Sequence, residues 1–127
     1  AGSSTRILGV SVLTSMNETA LREEAGVNRP LKEQVEHLVG LGLKVGVHGV
    51  VSSPEETRDL REKFGLKFLI VNPGIRGAED SKGDQKRTAT PKAAMENGAS
   101  YLVVGRPIIA APDPLAAAEK ILAEIAG

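Results

Sequence analysis

YLVVGRPI, residues 101–108, reads as a buried strand that stops against a glycine and an arginine. Tyr101 to Val104 is a continuous apolar run ending in two β-branched residues, as expected of a strand covered on both faces. Gly105 removes the side chain where the strand ends, so a ligand can approach the backbone closely. Arg106 follows at once with a fork of donors suited to a phosphate. Pro107 can then start a short turn whose free N–H groups point the same way. An ordinary strand exit with a solvated arginine fits the same residues.

Three earlier runs share this composition: ILGVSVL (7–13), VHGVVS (47–52) and FLIVNP (68–73). With the last run at 101–105 they give four strands, separated and followed by helical patterns. Ser53-Pro54-Glu55-Glu56 has the form of a capping box with proline at the first helical position, opening a helix to Phe64 that Gly65 stops. Thr90-Pro91 starts a short helix that Gly98 ends. Asp113-Pro114 starts the last one, where Leu115, Ala118, Ile121, Leu122 and Ile125 form one apolar stripe. Leu31, Val35, Leu38 and Val39 fall at helical spacing, and residues 18–25 form a further short helical turn. Strand–helix alternation repeated four times implies an α/β fold with a parallel sheet and right-handed crossovers. Two architectures fit: an open doubly wound sheet, or a piece of a β/α barrel. A full barrel typically has about eight strands in about 250 residues, and this chain has 127.

Composition excludes several classes of function. Sixteen cations balance sixteen anions, with no basic stripe and only Tyr101, Phe64 and Phe68 as aromatics, so a nucleic-acid surface is not expected. The chain lacks cysteine, which removes disulfides, thiolate nucleophiles and thiolate metal sites. No apolar run is long enough to span a membrane and no signal peptide opens the chain, so a cytoplasmic enzyme or binding domain is the expectation. Gly40-Leu41-Gly42 with Gly46 has the wrong spacing for a dinucleotide fingerprint and follows a helix rather than a strand. His37 and His48 lie far apart without companion ligands, so both read as structural or solvated. Glu55-Glu56 and Glu23-Glu24 read as first-turn dipole partners or solvated faces rather than a catalytic carboxylate pair.

The strand ends hold the better candidates. PGIRG (73–77) ends the third strand, so Arg76 emerges at the same carboxyl end as Gly105 and Arg106. VLTSM (12–16) ends the first, and Thr14 and Ser15 offer hydroxyls there. Taken alone, PGIRG fits a turn with an exposed arginine better, and Thr14-Ser15 a helix cap or turn; two strand-end arginines on adjacent strands change that weighing. Ligands of parallel α/β proteins bind at this rim. Between Arg76 and Thr90-Pro91 runs a polar loop of mixed charge, residues 74–89, whose length marks it as either a functional lid or disorder.

Together ILGVSVLTSM, GVVSSPEE, FLIVNPGIR, GDQKR followed by TP, and YLVVGRPI with DP resemble the carboxyl-terminal half of orotidine 5'-phosphate decarboxylases, in that family's order and spacing. The resemblance implies a (β/α)8 TIM barrel of which residues 1–127 supply the last four β/α units. It implies decarboxylation of orotidine 5'-monophosphate to UMP in pyrimidine biosynthesis, without metal or organic cofactor, in a homodimeric complete enzyme. It places Thr14 near the base and ribose, Ser15 less firmly at the pyrimidine edge, and Arg76 and Gln85 on the phosphate side. Gly105 and Arg106 fall on the phosphate, and Gln85 becomes the tip of a phosphate-gripping lid.

The family's catalytic Asp-x-Lys-x-x-Asp segment is absent from this sequence, as are the first-strand aspartate and second-strand lysine that hold the ribose. No catalytic residue is therefore expected in this chain. The implied partner is a first-half polypeptide or a second copy of the chain. Asn72 stands where the family often has Thr or Ser, and Ser52-Ser53 where Cys-Ser is frequent. An isolated, non-catalytic half barrel that binds phosphate is the alternative of a different class. A sugar-phosphate epimerase would share the Gly-Arg strand end but leave LTSM, PGIR and DQKR unexplained.

Overall fold

The computed structural model describes residues 2–77 and 87–127 of the chain. The strands are β1 (Leu8–Val10), β2 (Gly49–Val51), β3 (Leu69–Asn72) and β4 (Tyr101–Leu102). All pair in parallel and in chain order, β1-β2-β3-β4. That order separates the two architectures left open by the sequence. A doubly wound sheet reverses direction at a switch point, whereas each strand here is added on the same side of its predecessor, as in a barrel.

The helices are α1 (Glu18–Glu23), α2 (Leu31–Lys44), α3 (Thr57–Phe64), α4 (Pro91–Glu96), α5 (Arg106–Ile109) and α6 (Pro114–Ala126). Local chemistry sets several of their ends. Asn17, Thr90 and Asp113 each accept a backbone N–H through the side chain, from Ala20, Ala93 and Ala116 respectively, which satisfies a donor that has no partner within the helix. Gly98 closes α4 at φ 108°, a conformation that favours glycine. Gly40 and Gly42 lie inside α2, not after it as the sequence had indicated. Packing is the reason: a side chain at Gly42 would press on Val47, and one at Gly40 would meet the Phe64 ring.

The capping-box expectation at Ser53 is corrected. Residues 53–56 form a separate turn in which the Glu56 N–H donates to Ser53 O (3.1 Å) and the Ser53 hydroxyl accepts from Glu55 N–H (3.2 Å). The helix begins only at Thr57. The cause is Glu56, which is buried and paired with Arg87 from the far side of the 74–89 loop.

Side chains alternate faces along a strand. Val50 and Ile70 point to one face and form the main core with Val35 and Val39 of α2 and Leu60 of α3. Ile75, Ala94 and Ala99 make a smaller cluster joined by Leu102 and Met95. The other face carries Leu8, Val10, Tyr101 and, just past β4, Val103, which are 40%, 60%, 57% and 53% exposed. Register places Val10, Val51, Val71 and Tyr101 in one row across it. The apolar stripe of α6 is likewise uncovered at Leu115 and Leu122. Within that row Val51 is half-buried and Val71 buried, so the bare apolar surface lies on the outer strands, and β1 and β4 both present unpaired backbone edges.

The chain alone is therefore expected to associate. Light scattering on the chain should give a mass above that of one copy, reduced by Val10→Lys with Tyr101→Lys. A sharp single-chain peak with cooperative melting would contradict this.

Candidate functional site

The four strand exits lie at one rim because the strands are parallel. At the first, Val12 is in the core and the chain turns over Leu13–Met16, with Met16 N–H donating to Leu13 O (2.9 Å). Thr14 and Ser15 are the central residues of that turn, Thr14 buried and Ser15 half-buried. Asn17 then caps α1, so the turn is held between a core residue and a helix start.

The second and third exits share a buried polar network. Asn72 donates through Nδ2 to Ser52 O (2.7 Å) and accepts through Oδ1 from the Thr57 hydroxyl (3.0 Å). Asn72 thus uses both ends of its amide to tie β3 to the start of α3. Ser52 Oγ is buried without a hydrogen-bond partner among the described residues.

Beyond β3 the chain passes Gly74, at φ 75°, into a parallel bridge between Ile75 and Ala89. Arg76 N–H donates to Ala89 O (3.0 Å), and Ala89 N–H to Gly74 O (3.4 Å). The two stems of the 74–89 loop are thereby fastened to each other. The Arg76 guanidinium is buried and donates to Ile75 O (2.8 Å). It borders a cavity of about 360 Å³ together with Gly77, Thr90, Pro107 and Lys120. At the fourth exit Gly105 and Arg106 are exposed, and Arg106 opens α5 with Pro107 behind it. Arg76 and the β4 exit are thus brought together through Pro107, while Thr14 and Arg106 do not line this cavity. Gln85 lies outside the described residues.

The rim also holds a cluster that the sequence did not reveal. The Arg87 guanidinium is buried, pairs through Nη1 with Glu56 Oε1, and donates through Nη2 to the carbonyls of Leu13 (2.9 Å) and Val12 (3.2 Å). One side chain therefore joins the β1 exit, the turn before α3 and the returning stem of the loop. Nothing local marks it. Arg87 reads as one more charge in a mixed-charge loop, and its partners lie 31 and about 75 positions away.

The histidines behave as structural or solvated groups. His48 Nδ1 accepts from Ile7 N–H (2.8 Å), and His37 is exposed on α2. Among the described residues no three His, Asp or Glu side chains converge as metal ligands do, and no helix is long and apolar enough to cross a membrane.

Burial pushes the Glu56 carboxyl above its ordinary value, against the opposing pull of Arg87 and the Ser53 backbone and with a small push from Glu55. A group whose pKa is raised on folding contributes stability that is complete below its unfolded value, about 4.3 for glutamate, and lost as pH rises through the folded value. Melting temperatures measured across that range should fall with pH, and Glu56→Gln should flatten the slope. A slope indifferent to the substitution would contradict the assignment.

The geometry is matched by what the chain resembles. Residues 1–121 match the model of the "Orotidine 5'-phosphate decarboxylase / HUMPS family". The orotidine 5'-phosphate decarboxylase of Moorella thermoacetica is 53% identical over 119 residues, covering 94% of this chain and 47% of that protein. The Geotalea daltonii protein of the same name is 51% identical over 120 residues, covering 94% of this chain and 50% of that protein. Among solved structures, the Lactobacillus acidophilus orotidine 5'-phosphate decarboxylase superposes with a TM-score of 0.81 at 42% identity, covering 100% of this chain and 52% of that one. The Pyrococcus horikoshii enzyme gives 0.63 at 27% identity, covering 95% of this chain and 50% of its own. The chain thus spans about half the length of the relatives it matches, and it belongs to the orotidine 5'-phosphate decarboxylase / HUMPS family.

Proposed function

We propose that this chain is the phosphate- and base-binding half of an orotidine 5'-monophosphate decarboxylase, corresponding to the last four β/α units of its barrel. Its partner is a first-half polypeptide that supplies the aspartates and lysines of the catalytic network. One observation carries the reading. Thr14, Arg76 and Gly105-Arg106 leave the carboxyl ends of β1, β3 and β4 of a single parallel sheet, in a chain that is 53% identical to a decarboxylase of which it spans 47%.

In this reading Arg76 and Arg106, with Gln85, hold the phosphodianion of the nucleotide, and Gly105 lets it approach the backbone. Thr14 hydrogen-bonds near the base and ribose, with Ser15 at the pyrimidine edge. Loss of carbon dioxide leaves an electron pair on the ring carbon, which a nearby cation must stabilise and then protonate. Among the described residues no strand exit carries a lysine: the exits present Thr14-Ser15, Ser52-Ser53, Arg76 and Gly105-Arg106. Lys82 and Lys86 belong to the 74–89 loop, which suits phosphate enclosure better than proton delivery to a ring carbon. Lys120 borders the Arg76 cavity from α6, and in this reading it sits with the phosphate rather than the ring. The proton donor therefore comes from the partner. This half uses the binding energy of the remote phosphate to fix the substrate while the other half does the chemistry. The closed barrel works in the cytoplasm and pairs as a homodimer.

The test combines this chain with the amino-terminal half of the Moorella thermoacetica relative and follows loss of orotidine 5'-monophosphate by absorbance. The mixture should turn over and the chain alone should not. Arg76→Ala and Arg106→Ala should each weaken UMP binding to the mixture by roughly 10- to 100-fold, since a hydrogen bond to a charged group is worth about 1.5–3 kcal/mol. UMP binding without turnover would favour the non-catalytic module. Neither binding nor turnover would defeat the proposal.

A further inference from the structure

We propose that Arg87 is a positioning residue that couples the two ends of the ligand site, holding the β1 exit and the loop stem in one arrangement through Glu56. The inference rests on the functional reading above only for what each end contacts. The coupling itself follows from the geometry.

Arg87 stands two residues before Ala89, whose backbone is paired with Gly74 and Arg76. Its guanidinium reaches across to the carbonyls of Val12 and Leu13, immediately before Thr14. Displacing either end would therefore strain the other. The Leu13 carbonyl has two lone pairs, and both are engaged: one accepts from Arg87 and the other from Met16 N–H, the bond that shapes the Thr14-Ser15 turn. Glu56 fixes the remaining freedom of the guanidinium and is itself anchored by the 53–56 turn.

The arrangement is not economical as a means of stability. Two charges are taken from water, yet Glu56 Oε2 and Arg87 Nε are left without partners among the described residues. A buried pair so incompletely satisfied is commonly no better for stability than an apolar pair of similar volume. What an apolar pair cannot do is hold two carbonyls. Lysine cannot replace the planar fork either, because a point charge does not span Glu56 and both carbonyls at once.

This separates a positioning role from a structural one. In the two-polypeptide assembly, Arg87→Met with Glu56→Leu should melt close to the original temperature while binding UMP about 10-fold more weakly. Arg87→Lys should weaken UMP to a similar degree. In either background Thr14→Ala should cost much less than it does in the original protein, because coupled residues are not additive. UMP affinity that recovers together with melting temperature, or a full additive cost of Thr14→Ala, would overturn the inference.

If the original assembly fails to bind UMP, it is the functional reading that falls. The coupling is then decided on this chain by amide chemical shifts. Arg87→Lys should move signals at residues 12–16 and at 74–77 together, and movement confined to one segment would overturn it. The same shifts serve if the apolar pair does not fold.

Discussion

Parallel pairing in strict chain order obliges successive crossovers to take the same hand, and so puts the helices that pack on the sheet on one side. Val50 and Ile70 meet α2 and α3 there, and Leu102 meets α4. The opposite side, with Val10 and Tyr101, is left exposed among the described residues. The same constraint lines up the four strand exits on one rim. Without it, Thr14, Arg76 and Arg106 would be three unrelated polar residues. The bare face and the candidate site are thus two consequences of one topology.

Within that frame, Arg87 is the residue that connects parts the sheet alone would leave independent. The β1 exit and the 74–89 loop are separated by β2 and by α3, and neither has a strand bond to the other. A guanidinium reaching the carbonyls of Val12 and Leu13 and the carboxylate of Glu56 makes them one unit. A comparable anchor serves scaffold rather than site. Arg61 of α3 donates to the carbonyls of Gly98 (2.9 Å) and Phe68 (2.7 Å) and to the Ser100 hydroxyl (3.1 Å), tying the start of β3 to the end of α4. Both arginines act by satisfying backbone carbonyls at breaks between elements, where the ladder and helix bonds stop.

Much of this could be read from the chain because it is local. Apolar β-branched runs, the Thr90 and Asp113 caps, and the glycines after helices each act within a few residues, and the family motifs fall at the strand exits. The strands came out shorter than the runs containing them, since the ends of those runs are exits rather than ladder. Arg87 with Glu56 was not legible, because its meaning depends on residues far off in sequence. Glu56 even carried a plausible local reading as half of a capping box, which a tertiary partner overrode. Nor could the pattern tell that Gly40 and Gly42 belong inside α2. That depends on how near Phe64 and Val47 come.

A sheet that is half of a closed one has two edges left to pair. Amide hydrogen exchange of the chain, with and without a first-half polypeptide, reads both edges at once. In the chain alone, diluted until it is a single copy, amides of β2 and β3 should be protected while the outward N–H groups of β1 and β4 exchange rapidly. Adding the first half should protect both edges together, because closure of a barrel leaves no edge free. Edges that stay unprotected in a mixture whose inner strands are protected would mean that the sheet does not close.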